Sequence, residues 1–203
     1  MTSPDALSAE KLRADVDPVI VGREIVVVDE TTSTNDSVLE RTSSATPEGL
    51  VVFAERQTAG RGQRSNSWES AAGKGLWFSL LLRPKIDIGD STQLAEWAAR
   101  TVAETIAKEF ALPATIKLPN DIIVAGNKIA GVLVEMRAQK DAPHIAIVGI
   151  GVNVNHQTED FSEELRARAI SLAMALDRQV NRHPFAVALL KNLDRSYREA
   201  FPP

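Results

Sequence analysis

The sequence predicts an α/β (α+β) fold: a single mixed β-sheet of about seven strands flanked by helices. Three observations carry this. Short runs rich in Val, Ile, Leu and Phe, bounded by Gly, Pro and Asn, recur along the chain as strands do. One of them, HIAIVGIGVNVN (His144 to Asn155), is apolar on both parities, the pattern of a strand buried on both faces. Between the runs lie segments whose apolar residues recur at helical spacing.

Residues 1–22 read as an N-terminal segment, frayed at its start and partly flexible, with a short helix from Ala6 to Val16. Residues 23–203 form the main domain. REIVVVDE (Arg23 to Glu30) is the first strand, on its β-branched content. In TTSTNDSVLER, Thr34 caps a helix that runs through Val38 and Leu39 to Arg41. LVVFAE (Leu50 to Glu55) and GLWFSLLLR (Gly75 to Arg83) follow as strands. After PKIDIGD comes the clearest helix. Asp90 caps it with Gln93 three residues on, and Leu94, Trp97, Ala98, Thr101, Val102, Thr105 and Ile106 share one face. TIKLPNDIIVAGNKIAGVLVEMR reads as two strands joined through Gly126-Asn127, a weaker hairpin signal than Asn-Gly. Helices over Ser162 to Leu176 and Pro184 to Phe201 close the chain.

At 203 residues, with 44% hydrophobic and 25% charged residues, the composition is that of one globular domain. The absence of cysteine excludes disulfides, thiol nucleophiles and cysteine-ligated zinc, and suits a reducing cytosol. No basic n-region precedes an apolar core, and no apolar run approaches a membrane span. The expectation is a cytoplasmic protein that uses no membrane. A net charge of −4 leaves no global footprint for nucleic acid, so any bound anion needs a local arrangement.

Such an arrangement is ERQTAGRGQRSNSWES (Glu55 to Ser70). Roughly twenty residues separate two strands here, an unusual length for a connection without a function. Gly60 and Gly62 let a ligand approach main-chain N–H groups, and Arg61 between them supplies a cation whose planar fork suits phosphate or carboxylate. For an isolated Gly-Arg-Gly, a solvated loop is the more frequent meaning. Two other stretches add weight. Lys117, Asn120, Asp121 and Lys128 cluster around Pro119 and a hairpin, which brings Lys128 and Asp121 together at a strand end. Ser33, Thr34 and Asn35 place polar groups at a strand-to-helix junction, as a helix cap or as the polar end of a pocket. Asn153, amid apolar residues, needs a partner if buried.

Taken together, STN, ERQTAGRGQRSNSW, GLWFSLLLRP, KLPNDI, GNKIAGVLVE and VGIGVNVN, in this order from about Ile25 to Asn155, resemble the biotin–protein ligase family. The resemblance implies a class II aminoacyl-tRNA synthetase-like catalytic domain. It also implies two departures in architecture, no N-terminal DNA-binding domain and no C-terminal SH3-like domain. In the loop, Gln63, Ser65 and Asn66 stand where the family often has Arg, Gly and Arg, and Leu118 stands where it often has Trp.

Such ligases activate biotin with ATP and Mg²⁺, then transfer the biotinyl group from biotinyl-5′-AMP to one lysine of a biotin carboxyl carrier protein. Under the resemblance, Lys128, Arg61 and Asp121 are catalytic. Ser33, Thr34, Asn35, Gln57, Gly60, Arg61, Lys128 and Gly131 hold biotin. The nucleotide falls to Gly60, Arg61, Gly62, Gln63, Arg64, Trp68, Asn120, Lys128 and Asn153. Mg²⁺ is held by the ATP phosphates and not by a protein site. DNA is not a partner, and a homodimer is compatible with the family. The resemblance also admits a lipoate–protein ligase-like acyl transfer or a non-catalytic biotin- or nucleotide-binding homologue. A loop of this kind is expected to be mobile when free and to close over its ligands.

Overall fold

One sheet of seven strands organises the computed structural model, which describes residues 5–140 and 144–202. In chain order the strands are β1 (Glu24–Thr31), β2 (Leu50–Gln57), β3 (Gly75–Leu82), β4 (Ala114–Lys117), β5 (Asp121–Val124), β6 (Asn127–Arg137) and β7 (Ile145–Asn153). Across the sheet they run β1-β2-β3-β7-β6-β5-β4, with β1 parallel to β2 and every other pair antiparallel. The helices are α1 (Ala9–Asp15), α2 (Thr34–Glu40), α3 (Ser91–Phe110), α4 (Glu163–Arg166), α5 (Leu172–Leu176) and α6 (Arg182–Ala200).

Side chains alternate across a sheet, so strand parity decides which face each residue serves. Leu76, Phe78, Leu80 and Leu82 of β3 join Ala146, Val148, Ile150 and Val152 of β7 in the main core, beneath α3 and α6. Phe53 and Phe78 stack there with ring centroids 4.8 Å apart. On the opposite face Val38 of α2 packs on Leu50, Val52, Leu81, Ile145 and Ile147. Beyond that small cluster the same parity carries Ser79, Gly131, Gly149 and Gly151. Small residues at alternate positions hollow out this face, and the hollow is where the polar residues gather.

The strands of the sequence reading are found within two residues, but four local expectations are corrected. Gly126-Asn127 is not the turn: the two-residue loop is Ala125-Gly126, with φ of 50° and 82°, and Asn127 already pairs with Val124. Positive φ at both positions gives the twist a tight hairpin needs. The stretch around Pro119 holds three strands instead of two, because Leu118 to Asn120 turn the chain between β4 and β5. Asp90 occupies the cap position of α3 without a side-chain cap bond; its φ of −91° and ψ of 12° lack the extended backbone that aims a capping oxygen at the helix. Thr34 is the first residue of α2, not its cap, and the cap residue Ser33 makes no side-chain bond to the helix either.

The helix over Ser162 to Leu176 is broken into α4 and α5, with Ala169 between them in a parallel bridge to Lys128 of β6. Residues 5–22 are stitched to the domain. The buried Asp194 of α6 accepts the N–H groups of Ile20 and Val21 at 2.7 and 2.8 Å, and the fully buried Arg182 binds Asp5 and Glu55 at 2.9 and 2.8 Å. Removing both carboxylates would leave Arg182 an uncompensated buried charge. Among the described residues no helix is long and apolar enough to cross a membrane.

Candidate active site

Lys128 shows how the fold aims a side chain. Gly131 faces the hollow, so strict alternation would turn Lys128 to the other face. The β5–β6 register slips between Ile122 and Ile123: Ile122 pairs with Ala130, Ile123 with Lys128, and Ile129 is the extra residue. A bulge of this kind re-aims side chains and is frequent beside active sites. Here it sends Ile129 into the core and brings Lys128 to the pocket. Lys128 Nζ lies 2.6 Å from Asp121 Oδ1 and 5.2 Å from the centroid of the Trp68 ring.

The pocket is an open cleft of about 440 Å³, a volume that includes the solvent at its mouth. Its floor is glycine. Gly131 pairs with Gly151 across β6 and β7, and a Cβ at either position would come within 2.9 Å of the Trp68 ring. One wall is polar. Thr34 donates to Gln57 Oε1 from its backbone N–H (2.9 Å) and its hydroxyl (3.2 Å). Beneath them the buried Ser79 Oγ lies 2.7 Å from Thr34 Oγ1 and 2.6 Å from Asn35 Oδ1. At the start of α2 the Gln57 side chain takes the Thr34 N–H, and the Ser33 hydroxyl makes no cap bond.

The loop between β2 and β3 covers the pocket as an ordered flap. Trp68 N–H donates to the Gly60 carbonyl and Gly62 N–H to the Asn66 carbonyl, at 2.8 and 2.7 Å. A Cβ on Gly60 would fall 2.5 Å from the Trp68 carbonyl, so the closure requires glycine. Arg61 is not a free cation. Its guanidinium reaches Asp36 at 2.7 Å and Glu135 at 3.0 Å, and Glu135 also accepts from Asn35 Nδ2 at 2.7 Å. These carboxylates tie the flap to α2 and β6.

The bond from Arg61 holds the Asp36 carboxyl below its ordinary value of 3.8, against the opposing effect of burial. A depressed carboxyl pKa stabilises the fold above the unfolded value and loses that stabilisation as pH falls through the folded one. Because both partners are more than one-third exposed, the latch is worth about 0.2–1 kcal/mol. The expected result is a gap of that size between wild type and Asp36→Asn in urea unfolding at pH 7. The gap should shrink below pH 3.8. A gap that is constant down to pH 3 would contradict the latch.

Of the residues nominated from sequence, Ser33, Thr34, Asn35, Gln57, Arg61, Gly62, Gln63, Trp68, Asn120, Lys128 and Gly131 line one pocket. Asn120 is held by a donor bond from Nδ2 to the Val132 carbonyl at 2.9 Å. Asp121 is outside the lining and touches it through its ion pair with Lys128. Gly60, Arg64 and Asn153 lie outside the lining; Arg64 is exposed in a left-handed conformation, and Asn153 Nδ2 donates to the Ile170 carbonyl at 3.1 Å. The sequence reading missed Asp36, Glu135, Ser79, Gly149 and Gly151. Only the glycines gave a signal, since glycine inside a strand marks close approach.

A family model described as the biotin/lipoate A/B protein ligase family matches residues 27–153. The bifunctional ligase/repressor BirA of Bacillus spizizenii is 37% identical over 97% of this chain. The biotin–[acetyl-CoA-carboxylase] ligase of Mycobacterium tuberculosis is 31% identical over 85% of it. The chain spans 60% of the first relative's length and 63% of the second's. Among solved structures, a biotin protein ligase from Aquifex aeolicus in complex with biotin and ATP is similar with a TM-score of 0.75 and 30% identity, covering 87% of this chain and 71% of that one. With its sheet order, glycine floor and flap now joined to these likenesses, the chain belongs to the biotin/lipoate A/B protein ligase family.

Proposed function

We propose that this domain activates biotin with ATP and transfers the biotinyl group to a lysine of a carrier protein. The observation that carries the reading is the placement of Lys128 on the glycine floor, facing the Ser33–Asn35 and Gln57 wall. That geometry offers donors and acceptors for a neutral ureido ring at one end of a pocket and a cation for a carboxylate at the other. The names of the relatives, and the biotin and ATP of the Aquifex complex, point to the same ligands.

In the first step a biotin carboxylate oxygen attacks the α-phosphorus and pyrophosphate leaves. Two anions must meet, and Lys128 lies where it lowers that repulsion. In the second step a carrier lysine attacks the acyl carbon, AMP leaves, and the amine loses a proton. Asp121, beside Lys128, accepts it. Trp68 and the flap exclude water from the mixed anhydride. Mg²⁺ enters with the triphosphate; among the described residues no cluster of three or more His, Asp or Glu side chains suits a metal. The acceptor is a biotin carboxyl carrier protein of a biotin-dependent carboxylase, and neither DNA nor a membrane enters this reading.

The test is the mass of a biotin carrier domain after incubation with the protein, biotin and Mg-ATP. One added biotinyl group on one lysine is the expected result. An unchanged mass, or modification by lipoate in preference to biotin, would reject the assignment. Gln63 lines the pocket, at a loop position where the resemblance leads to an expectation of arginine. Gln63→Arg adds a charge-assisted contact worth about 1.5–3 kcal/mol if fully formed. It should slow release of the adenylate into solution by roughly tenfold or more; an unchanged release rate would remove Gln63 from nucleotide contact.

A further inference from the structure

The bulge that aims Lys128 leaves its backbone at the edge of the sheet. The β6–β7 ladder begins at Ala130 and Val152, so β7 offers Lys128 no partner. Three residues between α4 and α5 replace it. Lys128 N–H donates to the Arg168 carbonyl at 2.8 Å, and Ile170 N–H donates to the Lys128 carbonyl at 3.0 Å, making a parallel bridge with Ala169. A stretch this short, flanked by helices of four and five residues, has little ladder of its own to hold it.

At its start the Arg168 and Ala169 N–H groups donate to the Leu165 carbonyl at 3.0 and 2.8 Å, and three further contacts anchor its end and the turn after it. Ser171 Oγ donates to the His156 carbonyl at 2.7 Å, and Ala173 N–H to the Val154 carbonyl at 2.8 Å. The third is the bond from Asn153 Nδ2 to the Ile170 carbonyl at 3.1 Å. Of these, the Asn153 bond falls on a residue that itself bonds Lys128. Asn153 is the last residue of β7, is buried, and lies outside the pocket lining.

We propose that Asn153 is a positioning residue for Lys128: its amide fixes residues 168–170 as a brace that completes the sheet beside the Lys128 backbone. One continuous chain of hydrogen bonds then links the rigid end of β7 to the cation, Asn153 to Ile170 to Lys128. The side-chain amide is the one movable link in it, because the rest is main chain. The consequence for catalysis rests on the ligase reading above; the brace itself does not.

Asn153→Asp keeps the shape and replaces the donor by an acceptor facing the Ile170 carbonyl, and Asn153→Ala removes both. Backbone amide exchange, followed by NMR on the intact protein, reads the brace directly. The Lys128 and Ile170 amides should exchange about fivefold faster or more in either variant, while those of Val132 and Ile150 stay unchanged. In biotin-dependent ATP–pyrophosphate exchange, kcat should fall roughly 10- to 100-fold with KM for ATP nearly constant, as for a misplaced catalytic group. Unchanged protection at Lys128 and Ile170 would overturn the proposal. So would a rise in KM for ATP at constant kcat, the mark of a nucleotide contact alone. A wild-type protein without exchange activity would defeat the ligase reading while the amide data still judged the brace.

Discussion

Lys128→Ala should lower biotin-dependent ATP–pyrophosphate exchange by about three powers of ten. The magnitude comes from the charges. A carboxylate and an α-phosphate brought to about 4 Å repel by roughly 4 kcal/mol per charge pair at an effective dielectric near 20. Lys128 is the lysine that lines the pocket, and Arg61 is engaged by Asp36 and Glu135. Among the described residues that line the pocket, no other cation is therefore free to take over its charge at once. The Lys128 side chain is about one-third exposed, so its loss should leave the unfolding midpoint nearly unchanged. Biotin binding measured by calorimetry should weaken far less than catalysis, because the ureido end of the ligand keeps its wall. Exchange that stays within tenfold of wild type would refute the central role given to this lysine.

Much of this site was legible in the residues themselves. Gly60 and Gly62 around Arg61, and Lys128 within twelve positions of Asn120 and Asp121, are local patterns, and of these the structure brings Arg61, Gly62, Asn120 and Lys128 to one pocket. What escaped was what depends on pairing between distant strands. Ser79 looks like a stray polar residue in an apolar run until β3 is laid beside β7 and its parity set against Asn35. Asp36 and Glu135 are separated from Arg61 by 25 and 74 positions, and nothing in composition announces that they will grip it. The bulge at Ile129 is of the same kind: a single slip in register, invisible in the apolar run KIAGVLV, moves Lys128 from one face to the other.

The helices tell a similar story. The face of α3 was evident from its spacing, because burial along a helix repeats locally. The break between α4 and α5 was not, since ELRARAISLAMAL carries good helix formers throughout. Residues 168–170 leave the helix because the Lys128 backbone offers bonds there. A tertiary partner overrode a local preference.

Gly149→Ala is expected to raise the dissociation constant for biotin by about 10- to 100-fold while the protein stays folded. A Cβ at this position would stand 2.4 Å from Asn35 Oδ1, closer than any real contact allows. Asn35 cannot step aside freely. It is buried, its Oδ1 accepts from Ser79 at 2.6 Å, and its Nδ2 donates to Glu135 at 2.7 Å. Overpacking of such a site costs about 1–3 kcal/mol, and under the proposed function it falls on the wall assigned to the ureido ring. Gly151 provides the contrast. There the added methyl meets the ring of Trp68, which belongs to the flap and not to the Ser33–Asn35 wall, so Gly151→Ala should act on retention of the adenylate more than on biotin itself. Gly89, whose Cβ would meet nothing within 4 Å, is the control and should leave both unchanged when replaced by alanine. If Gly149→Ala binds biotin as tightly as the wild type in calorimetry, Asn35 is not part of the biotin wall, and the polar network from Ser79 to Glu135 serves the flap alone.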